Sequence, residues 1–341
     1  METYIGLDGH SSTCTFVSMD KDGKIIDEEK VATTERNLLG YIKRQKGKVH
    51  LVVEESGMSK WFYSILKNKV DQLIVCNPAF IGKRKGAKFD RNDAIHLANE
   101  LRCGHLVPVF HEQSDIIDLR ALVGAYNDVV RECTRTKNRY KALFRAEALS
   151  TKGATIYKAE ERIQELSGGV DKFVAKNLFD HLTYLESVKK SYLKNFEANM
   201  KKHRILRRLD TVPGIDTVRA HVIASYMCTG DRFKNKHKLW AYAMLVKHVE
   251  ESDGRIYGRR IHFGRVELKA AFLGVAESAL LHGSHLRKDY DRLRSAGVTH
   301  QNAKMAVARK AAAICLQILK NDCDYDDKFN EKQERLARLQ S

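Results

Sequence analysis

Between Ile117 and Ala146 the apolar positions 119, 122, 126, 129, 133, 140 and 143/144 recur in steps of three, four or their sum. The same spacing returns from Phe173 through 174, 178, 182, 185, 188, 192, 196 and 200 to Leu206. No proline falls in either stretch, and the chain has three in all, at 78, 108 and 213. A proline inside a helix removes a hydrogen bond and clashes with the preceding turn, so nothing here interrupts two helices of about thirty residues. The polar segment between them, with Gly153, Gly168 and Gly169, lets the chain reverse. The pattern predicts an antiparallel coiled-coil hairpin over residues 112–208, its stripes forming a core and a dimerisation seam rather than a cofactor box.

Residues 1–111 follow a shorter period. Thr3-Tyr-Ile-Gly-Leu-Asp8-Gly is an apolar run that ends in an acid and a glycine. Cys14 to Met19, a turn at Asp20-Lys-Asp-Gly23, and Lys24 to Val31 continue it as an antiparallel meander. Leu38, Leu39 and Ile42 mark a short helix, and Val49-His-Leu-Val-Val-Glu54 is a second apolar strand ending in an acid. A helix around Trp61 to Leu66 and a strand from Gln72 to Pro78 follow. The order βββαβαβα predicts a mixed sheet with helices on both faces, the ribonuclease-H-like arrangement. Ligands gather at the carboxyl ends of strands in such sheets, and Asp8 and Glu54 both fall there. Glu55, one residue on, points to the opposite face.

Lys88 to Arg102 reads as the next helix, with Ile95, Leu97, Ala98 and Leu101 as its apolar stripe and Gly104 as its stop. Asp90 and Asp93 share one face near its start. Acidic residues suit the first turn of any helix, but the two acids upstream give this pair company. Four convergent carboxylates without a His or Cys partner select a hard cation with oxygen ligands. Mg²⁺ is expected, with Mn²⁺ as a substitute, held as one or two ions about 4 Å apart and serving phosphoryl transfer.

Lys and Arg number 60 against 43 Asp and Glu, a formal net charge of +17. That balance favours a polyanionic partner, most often nucleic acid. No long apolar segment or basic amphipathic anchor points to a membrane, and no secretory leader opens the chain. Seven scattered cysteines without a Cys-x-x-Cys pair fit a reducing cytosol better than a disulfide framework or a structural zinc. Lys83, Arg84, Lys85 and Lys88 precede Asp90, where a phosphate-contacting loop is the better reading than a merely solvated one.

Further basic clusters lie beyond the hairpin. Arg207 and Arg208 close its last turn, and Val212-Pro-Gly214-Ile leads into an apolar helix. That turn resembles a helix-hairpin-helix element whose backbone N–H groups hold a phosphate, although an ordinary turn fits equally well. Arg232 and Lys234 follow, and then Ser252 before Asp-Gly, flanked by Arg255, Arg259, Arg260 and Arg265. A serine before Asp-Gly is usually a turn residue; its basic surround could also stabilise a phosphoryl group transferred to the hydroxyl. Residues 267–321 read as helices, making 209–321 a third domain, and 322–341 is a charged tail.

Four segments together resemble the DEDD-type insertion-sequence transposases of the insertion sequence 110 class, relatives of Piv-type DNA invertases described as bridge-RNA-guided recombinases. They are Ile5-Gly-Leu-Asp8, Val53-Glu54-Glu-Ser-Gly57, Phe89-Asp90-Arg-Asn-Asp93-Ala, and Val212-Pro-Gly-Ile215 leading to Arg232-Phe, and the resemblance in order and spacing covers almost the whole chain, from residue 4 to about 320. The resemblance implies a RuvC-like domain over 1–111, the coiled coil, and a C-terminal transposase domain with a serine nucleophile. It implies a metal tetrad of Asp8, Glu54, Asp90 and Asp93, and Ser252 as the residue that attacks a DNA phosphate to give a phosphoserine linkage. Its partners would be donor and target DNA, a structured guide RNA, and further copies of the chain as a homodimer or a synaptic tetramer in a prokaryotic cytosol. Two departures stand out: Met244-Leu-Val-Lys247 replaces the family's Gly-Leu-x-Pro, and Ile261-His-Phe-Gly264-Arg265 lacks the Thr and Lys of Ile-Thr-Lys-x-Gly-Asn.

Competing readings need fewer parts. A Piv-like invertase needs no RNA, and a junction-resolving nuclease needs the four acids without the serine. A sugar-kinase-like protein needs a second Gly-rich phosphate hairpin, which the sequence does not offer, and a non-catalytic nucleic-acid scaffold needs the charge alone.

Overall fold

The computed structural model describes residues 1–81, 89–112, 114–153, 155–260 and 264–326. The chain divides into two compact units, residues 1–113 and 114–341.

The first unit is a mixed α/β structure around a five-stranded sheet: β1 (Glu2–Gly9), β2 (Thr13–Met19), β3 (Ile25–Ala32), β4 (Lys48–Glu54) and β5 (Gln72–Cys76). Their order is β3-β2-β1-β4-β5. β1 to β3 form the antiparallel meander, while β4 and β5 run parallel to β1. This is consistent with the ribonuclease-H-like arrangement. Strand alternation sorts the side chains. Ile5, Leu7, Phe16, Leu51 and Val53 face α1 (Glu35–Arg44) and α2 (Ser59–Leu66) in one apolar core. Val17, Val52 and Cys76 face α3 (Asp90–Cys103) on the other side. Gly104 ends α3 in the left-handed region at φ 71°, the stop that its sequence predicts.

The second unit opens with α4 (Asp115–Ala146) and α5 (Gly169–Lys202). They pack antiparallel: Tyr126 meets Phe196 near one end, Cys133 meets Leu182 midway, and Tyr140 and Phe144 pack with Ala175 at the other. Two features differ from the sequence pattern. The connection is not simply polar, because Ile156, Ile163 and Leu166 fold back and are buried against Tyr140 and Phe144. The second helix stops at Lys202, where His203 takes an extended backbone (φ −106°, ψ 112°) before α6 (Arg204–Asp210).

Helices α7 (Thr217–Met227), α8 (Lys236–Tyr242), α9 (Val266–Leu281), α10 (His285–Ser295) and α11 (His300–Asn321) follow, with a two-stranded ribbon, β6 (His248–Ser252) and β7 (Arg255–Arg260), between α8 and α9. Residues 220–227 of α7 are all buried, as expected of the central helix of a helical core. Leu119, Val123, Tyr126 and Phe196 belong to that same core. The base of the hairpin and the following helices therefore share one apolar interior. Among the described residues no helix is long and apolar enough to cross a membrane.

Candidate active site

Parallel pairing of β1 with β4 runs in register to Leu7 opposite Val53, so Asp8 and Glu54 come next, side by side at the carboxyl edge. Alternation places both on the α3 side of the sheet. What brings α3 to them is Gly6. A Cβ at that position would lie 2.0 Å from the Ala94 carbonyl oxygen and 2.7 Å from the Ala98 nitrogen, so the helix backbone rests directly on the strand. The first turn of α3, with Asp90 and Asp93, is thereby held over the edge that carries Asp8.

Ligand atoms of Asp8, His10 and Asp90 all lie within 4.8 Å of one another. His10 Nε2 is 3.4 Å from Asp8 Oδ2 and 3.9 Å from Asp90 Oδ1. Lys30 Nζ donates to Asp90 Oδ2 at 2.8 Å. The two acids sit in different surroundings, Asp8 at 15% side-chain exposure and Asp90 at 39%. Burial raises the Asp8 carboxyl above its ordinary pKa; His10 opposes this, while the charges of Asp90 and Asp93 add to it. Asp90 is instead held below its ordinary value, first by the hydrogen bond from Lys30 and then by that ammonium's charge. Asp93 is thus near enough to act on Asp8 through its charge, and Glu54 likewise acts on Cys76, its partner across β5, whose thiol burial pushes up to about 12.

The donor set fits a divalent cation. Two carboxylates and an imidazole converge on one small volume, and like charges that raise Asp8 are what a dication would relieve. The sequence pattern anticipated oxygen ligands alone. His10 changes that, because an imidazole in the cluster adds a nitrogen donor and admits softer metals alongside Mg²⁺ and Mn²⁺. His10 and Lys30 are the residues that reading the sequence missed. A period of two from Asp8 points to His10. Lys30 is found only through the register, in which Asp8 pairs with Thr15 and Thr15 with Lys30 across three strands.

In the second unit Ser252 ends β6, paired with Arg255, at a two-residue turn in which Asp253 (φ 51°) and Gly254 (φ 70°) are both left-handed. This is the hairpin turn that Asp-Gly favours. The ribbon stands exposed around the serine, with Ile256 57% and Tyr257 72% accessible. Arg255 is exposed beside it, and Arg259 and Arg260 lie on β7. Lys83, Arg84, Lys85 and Lys88 fall outside the described residues.

Several basic residues expected to face nucleic acid are used inside the fold. Arg208 is 6% exposed and pairs with Asp322 and Asp324. Arg207 Nη1 donates to the carbonyls of Met200 (2.8 Å) and Lys201 (2.7 Å), capping α5. Arg232 donates to the Tyr226 carbonyl and stacks 4.5 Å from the Tyr242 ring centroid. Arg265 Nε reaches the Tyr242 hydroxyl at 3.2 Å, and Lys234 stays exposed. Gly214 (φ 89°) is needed because a Cβ there would come within 2.5 Å of the Val275 carbonyl oxygen, a packing constraint against α9. The α7 N-terminus that would hold a phosphate already has an anion: the Asp216 carboxylate accepts from Arg219 N at 2.8 Å. An ordinary capped turn thus accounts for this segment.

Comparison with known proteins places these two regions. Residues 5–147, which include the whole acid cluster, match the DEDD-type family model of IS110, described as a transposase. Residues 206–291, which include the ribbon, match the model described as transposase IS116/IS110/IS902 family. The chain is 24% identical over 162 residues to the 43.6 kDa protein of insertion element IS110 from Streptomyces coelicolor, covering 47% of this chain and 40% of that relative. It is 22% identical over 255 residues to y4qE of Sinorhizobium fredii, whose name marks it as a candidate transposase, covering 72% of this chain and 63% of the relative. The matches thus span less than two thirds of either relative's own length. With one segment carrying the acids and the other the serine, the chain carries both transposase domains of the IS110 family.

Proposed function

We propose that the protein cleaves and rejoins DNA strands of an insertion sequence, with a divalent metal, Mg²⁺ in the cell, held by Asp8, Glu54, Asp90 and Asp93. The observation that carries this reading is the convergence of Asp8, His10 and Asp90 within 4.8 Å at the strand edge. A bound dication there supplies charge neutralisation for a phosphodiester. Asp8, partly desolvated, is the anchoring ligand, and His10 bridges it to Asp90. Ser252 is the nucleophile: its Oγ bonds to a DNA phosphorus, the bond from phosphorus to a deoxyribose oxygen breaks, and that oxygen leaves as a hydroxyl after gaining a proton. Exposure of Ser252 at a tight turn, with Arg255 beside it, supports this role. The phosphoserine diester conserves the energy of the broken bond, so a second DNA hydroxyl reverses the step on a new strand.

Donor and target DNA are the substrates, selected by a structured guide RNA, in a prokaryotic cytosol. The net charge of +17 supports polyanionic partners. The chain works as a dimer or tetramer, a reading supported by Val170, Phe173 and Tyr184, which stand 76%, 70% and 64% exposed on α5. The test is trapping of protein–DNA adducts with Mg²⁺ present. Wild type should form a covalent adduct that Ser252→Ala and Asp90→Asn both lose. Adducts surviving Ser252→Ala would refute the nucleophile, and cleavage without any adduct would favour a RuvC-like nuclease. Sequencing of nucleic acid that co-purifies with the protein tests the guide: a discrete RNA is expected, and its absence would favour a Piv-like invertase.

A further inference from the structure

Between β3 and the start of α3, beside the acid cluster, runs an open trough of about 400 Å³. That is near the lower end of the range occupied by small-ligand sites. Lys30 and Asp90, 2.8 Å apart, form its inner end. Arg91 forms its outer wall, with Nη2 held 2.8 Å from Glu28. Phe89 lies along it, 63% exposed.

Phe89 occupies the N-cap of α3 with an extended backbone, and its side chain gives the helix no capping bond. Ser, Thr, Asp or Asn would normally supply that bond, so a phenylalanine here forgoes local stability. Nor does its ring join any apolar core of this unit among the described residues. A large flat apolar face left open one residue from a metal-binding acid has the character of a stacking platform.

We propose that this trough is a subsite for one unpaired DNA base flanking the phosphate held at the acid cluster, with Phe89 as its stacking surface. The proposal rests on the metal-centre reading above. Position sets which way the nucleotide lies. Both ends of the trough carry an ion pair, Lys30 with Asp90 and Arg91 with Glu28; because the phosphate lies at the acid cluster, the backbone runs past Lys30 and the base lies outward over the ring. Every base has a face that can stack, so the subsite positions the strand without reading sequence. Phe89 is a positioning residue, and Lys30 steadies the phosphate beside it.

Photocrosslinking of the full chain to a short oligothymidylate carrying 5-iodouracil, with Ca²⁺ in place of Mg²⁺, tests this without turnover. The expected adduct maps to Phe89, falls at least about fivefold in Phe89→Ala and returns in Phe89→Trp. Mn²⁺ affinity, measured separately, should be unchanged in both variants, which also shows that they fold. An unchanged yield in Phe89→Ala, or adducts only at other residues, would overturn the subsite. The two readings fail separately. Wild-type Mn²⁺ affinity in Asp90→Asn overturns the metal centre, whereas intact Mn²⁺ binding with no adduct at Phe89 overturns the subsite alone.

Discussion

Replacing Gly6 with alanine asks whether one missing methyl group holds the proposed metal centre together. The new Cβ would sit 2.0 Å from the Ala94 carbonyl oxygen, against 3.4 Å where ordinary contact begins, so strand and helix must separate by about 1.4 Å. The obstacle is main chain, which cannot rotate aside as a side chain can. Overpacking of this kind costs about 1–3 kcal/mol, an amount that a domain of ordinary stability survives. The metal site is less tolerant, since productive geometry holds only within about 0.5 Å. Gly6→Ala should therefore leave a folded protein whose urea midpoint is lowered and whose Mn²⁺ affinity, by titration calorimetry, falls at least about tenfold. Ala94→Gly should not rescue it, because the clash is with the Ala94 carbonyl rather than its methyl. Wild-type Mn²⁺ affinity in Gly6→Ala would refute the claim that this contact sets the position of Asp90 and Asp93.

Lys30→Gln removes the ammonium that occupies Asp90, and Mn²⁺ should bind about two- to fivefold more tightly by the same calorimetry, the modest scale of an exposed ion pair. His221 is buried, with Nδ1 2.7 Å from the Thr217 carbonyl and Nε2 without a hydrogen-bond partner among the described residues. Burial lowers its pKa below 6.5, so the unfolded chain takes up the proton first; stability is intact above about pH 6.5 and falls as pH drops toward the folded value. Urea unfolding between pH 7 and 5 should show a slope that His221→Gln reduces, by at most about 1.4 kcal/mol per pH unit. Arg208→Ala should destabilise the second unit by about 1–3 kcal/mol in thermal unfolding, because it removes a buried guanidinium that pairs with Asp322 and Asp324, and Arg255→Ala should not.

Much of the architecture is visible in the primary structure because it rests on local periodicity. The apolar runs Thr3–Asp8 and Val49–Glu54 give two strands and set both acids at their ends. The three- and four-residue spacing gives α4 and α5, and Asp253-Gly254 gives the ribbon's turn. What stays hidden depends on pairing between distant segments. Lys30 reaches Asp90 only once β1, β2 and β3 are in register. The basic residues fail for another reason. Arg208 and Arg232 look no different in sequence from solvent-facing cations, yet the fold enlists their donors for Asp322 and for the Tyr226 carbonyl. Gly6 did leave a signal, since a glycine inside a strand often marks close approach of another backbone.

The two arms of the α4–α5 hairpin also act as a ruler. Thirty-two residues at about 1.5 Å each give α4 a length near 48 Å, the rise of about fourteen base pairs of duplex. Anything gripped at the Phe144 end is kept about 38 Å, the rise from Leu119 to Phe144, from the helices packed around Leu119. Removing one heptad from each arm shortens the reach by about 10 Å, or three base pairs. Spacing between two points of contact along a duplex would then be written in the number of helical turns.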